Sequence, residues 1–279
     1  EIITYSFVSP TVFDNIRLPE DTPLRNAIRI INPLGEDTSI MRTVILPSML
    51  DILARNYAYK NKGVKLYELG RIYLPVEGHD LPDEPKRLIF GTYGEHEDFF
   101  SMKGEIDALL ASLNIPTATY VRNTENPSYH PGRCAELRID GKKVGMIGQI
   151  HPLVAETYGI GAEVYAAELD FTLLEQGGER VFHPLPKSPA VTRDLALVCD
   201  ESLTVGELES CITAAAGKLL RKINLFDIYR GVGIEPGKKS VAFSLELRAD
   251  DRTLTDEDSV GVVNKVLEKL EAELHVKLR

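Results

Sequence analysis

Two glycines and three prolines between positions 177 and 189 cut this chain in two. The run Gln176-Gly177-Gly178 through His183-Pro184-Leu185-Pro186-Lys187-Ser188-Pro189 stops regular structure and reads as a stiff linker. We therefore read a first domain over 1–178, a linker over 179–186 and a second domain over 187–279. The 279 residues suffice for two domains of ordinary size, each with its own core. A weaker break at Val76–Pro85, with Gly78, Pro82 and Pro85, reads as a long surface loop inside the first domain. The chain opens at Glu1 with Ile2, Ile3, Tyr5 and Phe7 already reading as a strand, which is expected of a piece cut from a longer protein.

The second domain spells β-α-β-β-α-β. Strands are expected at Arg193–Cys199, Leu220–Arg230, Lys239–Arg248 and, shorter, His275–Leu278. Thr204, with Glu207 three residues on, is a capping box for a helix over Val205–Ala216. Thr255 caps a second helix, with Val260, Val263, Leu267, Leu270 and Leu274 as its apolar face. That order is the split-βαβ, ferredoxin-like pattern. The first domain mixes strands and helices. Pro47 stands in the first turn of a helix carrying Met49, Leu50 and Leu53. Strands follow at Lys65–Leu74 and Arg87–Tyr93. Ser101 caps a helix with a stripe of Met102, Ile106, Leu109, Leu110 and Leu113. Asp140-Gly141 joins Ala135–Ile139 and Lys142–Gln149 as a hairpin. Pro152–Tyr158 is a short helix and Glu163–Asp170 a strand. The fold class is α+β.

Composition limits the function. The net charge of −10 is uneven: residues 1–182 carry 18 basic and 26 acidic side chains, residues 183–279 carry 14 and 16. This argues against a long phosphate-gripping surface, yet allows one local site that reads an exposed base. Cys134, Cys199 and Cys211 have no metal-type spacing and suit a reducing, cytoplasmic setting. No run of apolar residues is long enough to span a membrane.

Strand alternation divides the second domain's sheet. Leu195, Leu197, Cys199, Phe226, Ile228, Val241, Phe243, Leu245 and Leu247 are assigned to the core. Asp194, Ala196, Val198, Asp227, Tyr229, Ser240, Ala242, Ser244, Glu246 and Arg248 are left on the open face. One carboxylate and one ring among small residues suit a splayed-out base: Tyr229 stacks and Asp227 accepts from a guanine's donor edge. Arg193, Arg230, Lys238 and Lys239 are candidate phosphate contacts. The alternative is that Asp227 and Tyr229 merely finish a strand edge, with Asp227 paired to Arg193 or Arg230.

The stretches KSPAVTRDLALVCD (187–200), LFDIYRG (225–231), GKKSVAFSLELRADDRTLTDED (237–258) and the closing Leu-Arg together resemble the C-terminal anticodon-binding domain of phenylalanyl-tRNA synthetases. Upstream, NPLGEDTSIMRTVILPSMLDILARN (32–56), VKLYELGRIY (64–73) and GQIHPLVAETYGI (148–160) resemble the catalytic-like domain of the bacterial-type beta subunit. The resemblance implies a class II synthetase-like antiparallel sheet with flanking helices. It also implies a catalytic alpha partner in a heterotetramer of two alpha and two beta chains, and tRNA(Phe) as the bound RNA. It points to Asp227 and Tyr229 at the anticodon, where the layout of the open face adds Ala196 and Ser244. ATP and magnesium would belong to the holoenzyme, with no cofactor, metal or catalytic residue in this piece. The family's editing and magnesium-binding modules are not found within 1–279.

Class II catalysis needs two arginines on ATP. In Gly70-Arg71-Ile72-Tyr73-Leu74 the place of the first is taken by Leu74, and Leu173 is our placement for the second. A leucine cannot replace a phosphate donor. Arg42 and Arg71 are accordingly read as surface or interface ion pairs, His151 as a helix start before Pro152, Glu95–Asp98 as a solvated loop, and Cys134 as no nucleophile. The competing readings are a purely structural assembly scaffold without tRNA contact and an independent ATP-using ligase.

Overall fold

A computed structural model of the chain describes residues 1–115, 118–182 and 185–279. Two compact units emerge, Glu1–Val181 and Phe182–Arg279. The linker positions His183 and Pro184 lie outside the described residues. The architecture is α+β.

The first unit contains, in chain order, β1 (Phe7–Val8), α1 (Val12–Asn15), β2 (Ile40–Met41), α2 (Leu46–Ala58), β3 (Val64–Arg71), β4 (Lys86–Tyr93), α3 (Phe99–Ser112), β5 (Thr119–Arg122), β6 (Tyr129–Ile139), β7 (Lys142–Ile150), α4 (Pro152–Thr157), β8 (Tyr165–Asp170) and α5 (Phe171–Leu174). Six strands form an antiparallel sheet in the order β3-β4-β8-β7-β6-β5. Both faces are covered. Leu46, Met49, Leu50 and Leu53 of α2 pack over Ile89, Met146 and Ala166. Met102, Ile106 and Leu110 of α3 and Leu174 of α5 pack over Leu88, Leu137, Ile147, Ala167 and Leu169. Adjacent residues on one strand thus serve opposite cores, because successive side chains alternate across the sheet. The β6–β7 hairpin turns on Asp140 (φ 49°) and Gly141 (φ 76°), the paired left-handed residues of a two-residue turn.

Three local expectations change. Ser101 does not cap α3. Asp98 does, accepting from the Ser101 N–H at 2.7 Å, while the Asp98 N–H donates to Ser101 Oγ at 2.9 Å. The opening strand shrinks to Phe7–Val8, paired with β2. Residues before it are tied down instead by an Ile2 N–H to Tyr67 carbonyl bond and by the Thr4 hydroxyl on Glu68. Arg42 is no surface pair: it and Glu68 are both 3 % exposed and 3.0 Å apart. The guanidinium fork explains the burial, since its remaining donors reach the Arg71 carbonyl at 2.8 Å and Thr4 Oγ1 at 2.7 Å.

The second unit runs β9 (Val191–Asp200), α6 (Val205–Ala216), β10 (Leu220–Tyr229), β11 (Lys238–Leu247), α7 (Asp256–Leu274) and β12 (Lys277–Leu278). Its antiparallel sheet has the order β10-β11-β9-β12, which is the ferredoxin-like arrangement. Thr204 and Glu207 close the capping box of α6, and Thr255 with Asp258 that of α7. Both helices cover one face, over Leu195, Leu197, Cys199, Val241, Phe243, Leu245 and Leu247. The fully buried residues of α7 are Ser259, Val262, Val266 and Leu270; of the expected face, Val263, Leu267 and Leu274 are partly buried against the core with Leu270, and Val260 is 50 % exposed. Small Ser259 faces inward because its hydroxyl meets Arg193 at 2.9 Å.

Candidate nucleic-acid interface

The uncovered face of the second unit's sheet is set by register. Tyr229 pairs with Ser240 and Ser240 with Val198; Asp227 pairs with Ala242 and Ala242 with Ala196; Asn224 pairs with Ser244 and Ser244 with Asp194. Each pair shares a face, so these side chains form three rows across the strands. Ser240 and Ala242 are buried, while Ala196 and Ser244 are half-exposed. Asp227 and Tyr229 stand above this small-residue floor.

Tyr229 is held in place. Its hydroxyl donates to the Val232 carbonyl at 3.3 Å, and the Arg279 guanidinium lies 5.2 Å from the ring centroid. Arg279 reaches across the sheet because its N–H donates to the Ala196 carbonyl at 2.8 Å, continuing the antiparallel pairing of Lys277 with Val198. The ring is 36 % exposed. Asp227 is exposed, and its carboxylate has neither a hydrogen-bond nor an ion-pair partner among the described residues. The pairing of Asp227 with Arg193 or Arg230, weighed from the sequence, is absent.

The four nominated cations are engaged elsewhere. Arg193 falls on the helix-covered face with Leu195 and binds Asp256 at 2.7 Å. Lys239, 6 % exposed, shares that face with Val241 and donates to the Glu201 carbonyl at 3.0 Å. Arg230 makes two bonds to Glu201, at 2.9 and 2.7 Å, and holds that carboxyl below its usual range. Lys238 pairs with Glu235 at 2.9 Å. The sequence reading missed Arg279, although the closing Leu-Arg was in view, and it missed Lys222, whose register with Glu246 puts it on the open face. Lys222 has no side-chain partner among the described residues.

One core assignment is reversed. Phe226 is 55 % exposed and joins no core cluster. The register shifts between Leu225 and Asp227, so Phe226 is the extra residue of a β-bulge. Leu220, Ile223, Leu225 and Ile228 are the strand's partly buried residues against the core.

In the first unit, Leu74 packs against the α2-side core and bridges Asp83, and Leu173 is 52 % exposed on α5. Arg71 pairs with Glu84 at the surface, 3.3 Å away. His151 caps α4, accepting from the Leu153 N–H at 3.2 Å. Glu97 faces Lys65 and Asp98 caps α3, so these two acids serve local structure. Cys134 is buried, and burial pushes its thiol up to about 12. No group of three metal-ligating side chains gathers among the described residues.

Comparisons with known proteins align with both units. Residues 1–171 match the family model described as the phenylalanyl tRNA synthetase beta chain CLM domain, and residues 186–279 match the ferredoxin-fold anticodon binding domain. The chain is 43 % identical to the phenylalanine–tRNA ligase beta subunit of Clostridium acetobutylicum, over 100 % of its own length and 36 % of that protein. It is 41 % identical to the corresponding subunit of Symbiobacterium thermophilum, over 98 % of itself and 32 % of that protein. It therefore spans about a third of the length of the curated relatives it matches. Among solved structures, pyrrolysyl-tRNA synthetase from Desulfitobacterium hafniense shares the fold at a TM-score of 0.51 and 13 % identity, covering 62 % of this chain and 61 % of that one. By its family matches and these relatives, the chain belongs to the phenylalanyl-tRNA synthetase beta chain family.

Proposed function

We propose that this chain is the tRNA-placing, non-catalytic part of a phenylalanine–tRNA ligase. It binds the anticodon of tRNA(Phe) on the open face of its second unit and packs against a catalytic alpha chain in a two-alpha, two-beta assembly in the cytoplasm. The observation that carries the reading is the unpartnered Asp227 carboxylate beside the fixed ring of Tyr229. A base laid on Tyr229 gains about 1–3 kcal/mol from stacking. Asp227 then accepts from a guanine's ring and exocyclic N–H groups, and Ala196, Ala242 and Ser244 leave room for the base plane. Arg279 supplies positive charge next to the ring, either against the base or to a neighbouring phosphate.

ATP and magnesium act on the partner, since the two arginine places in this chain hold Leu74 and Leu173. No helix among the described residues is long and apolar enough to cross a membrane. In the assembled ligase, Tyr229→Ala and Asp227→Ala should each weaken tRNA charging while ATP–pyrophosphate exchange with phenylalanine stays unchanged. Equal loss of both activities would point to the scaffold role and remove the anticodon assignment.

A further inference from the structure

Phe226 is an aromatic ring whose exposure the fold does not require. It is 55 % exposed on edge strand β10, yet its neighbours Leu225 and Ile228 both pack against the core. Among the described residues it makes no ring contact. The bulge that displaces it breaks the ladder register at one point, directly before Asp227. Bulges gather next to functional sites, where they re-aim a side chain. Phe226 therefore directly precedes the carboxylate, and stands three residues before the ring, already assigned to a base, with the unpaired Lys222 further along the same strand. Val232, whose carbonyl accepts from the Tyr229 hydroxyl, is a further apolar residue left 93 % exposed in the turn after β10.

We propose that Phe226 is a second base-stacking position, holding the nucleotide next to the one on Tyr229. The inference rests on the anticodon reading above. Its occupant is a nucleobase rather than a protein side chain, because Phe226 directly precedes a lone acceptor and an unpaired lysine lies further along the same strand. Stacking is sequence-tolerant, as every base has a π-face. Phe226 would thus add affinity while Asp227 supplies discrimination.

The test uses the 279-residue chain, which contains no tryptophan. Phe226→Ala and Phe226→Leu should each raise the Kd for tRNA(Phe) by about fivefold or more, the lower end of the stacking range. Thermal unfolding should be unchanged, since the ring is outside the core. Leucine keeps apolar volume without a π-face, so its loss separates stacking from packing. Phe226→Trp should show fluorescence quenching on tRNA addition, with Phe100→Trp on the first unit as the inner-filter baseline. If Tyr229→Ala weakens binding but both Phe226 variants bind like the parent, this inference falls and the anticodon reading stands. If Tyr229→Ala and Asp227→Ala are also silent, both fall. Unchanged tRNA affinity with lost alpha-chain assembly in the Phe226 variants would make the ring a protein contact and overturn the proposal.

Discussion

Replacing Arg42 by methionine should cost the first unit about 3–5 kcal/mol, the usual loss when one partner of a buried ion pair is removed. Both side chains are 3 % exposed, so water cannot repair the break. Glu68 would keep its charge with only Thr4 as partner, through the hydroxyl at 2.7 Å and the N–H at 3.4 Å. The Arg71 carbonyl would lose its 2.8 Å donor as well. For a unit of this length about 2–4 °C is lost per kcal/mol, so the melting temperature should fall by roughly 6–20 °C. The double variant Arg42→Met with Glu68→Leu removes both charges at once and should be far less damaged than the sum of the single variants. Arg42→Lys keeps the charge and loses the fork, so it should fall between. Thermal unfolding gives the ranking. Hydrogen exchange over residues 1–8 gives the mechanism, because Thr4 ties that segment to the pair. A shift under 2 °C for Arg42→Met, or a double variant that simply adds the two losses, would refute the coupling.

Two further outcomes follow from titratable groups. Burial, opposed by Arg87 and Arg42, raises the Glu168 carboxyl from 4.5 to about 7. The native state then holds a proton that the unfolded state has released, so stability falls as pH rises from 4.5 to about 7 and stays lower above it. Glu168→Gln should remove that slope and gain on the order of 3 kcal/mol at pH 8 with little change at pH 4; coincident pH profiles for parent and variant would rule this out. All three cysteines are buried, with their thiols raised chiefly by desolvation, Cys134 to about 12. A thiol-disulfide reagent at pH 8 should label the native chain about a hundredfold more slowly than free cysteine, and three prompt equivalents before denaturant would contradict that.

Much of this was legible in the sequence because it is local. The capping box at Thr204 and Glu207, the Asp140-Gly141 turn and the alternation of β11 each depend on residues a few positions apart. What escaped was decided at long range. Arg193 meets Asp256, 63 positions away, and Arg42 meets Glu68 across 26. Charge pairing of that kind has no periodicity to read. The parity of the strands did hold a warning: Arg193 shares its alternation with Leu195, and Lys239 with Val241, so both belonged to the covered face.

The open face itself depends on breaks in that parity. Counting back from Tyr229 in steps of two would give Asp227, Leu225, Ile223 and Arg221 on one side, setting two apolar side chains in solvent beside the proposed base. The register shifts at Arg221 and Phe226 prevent this. Leu220, Ile223, Leu225 and Ile228 all turn to the core, and Lys222, Asn224, Asp227 and Tyr229 all turn outward. A one-residue insertion flips every side chain beyond it, so the bulge at Phe226 lets one strand keep its core and also join the carboxylate to the cation-bearing half. An LFDxY motif read as plain alternation buries its phenylalanine. Read with the bulge, the same five residues put two rings and an acid at the edge of the sheet, and the motif has a physical reason to carry both aromatics.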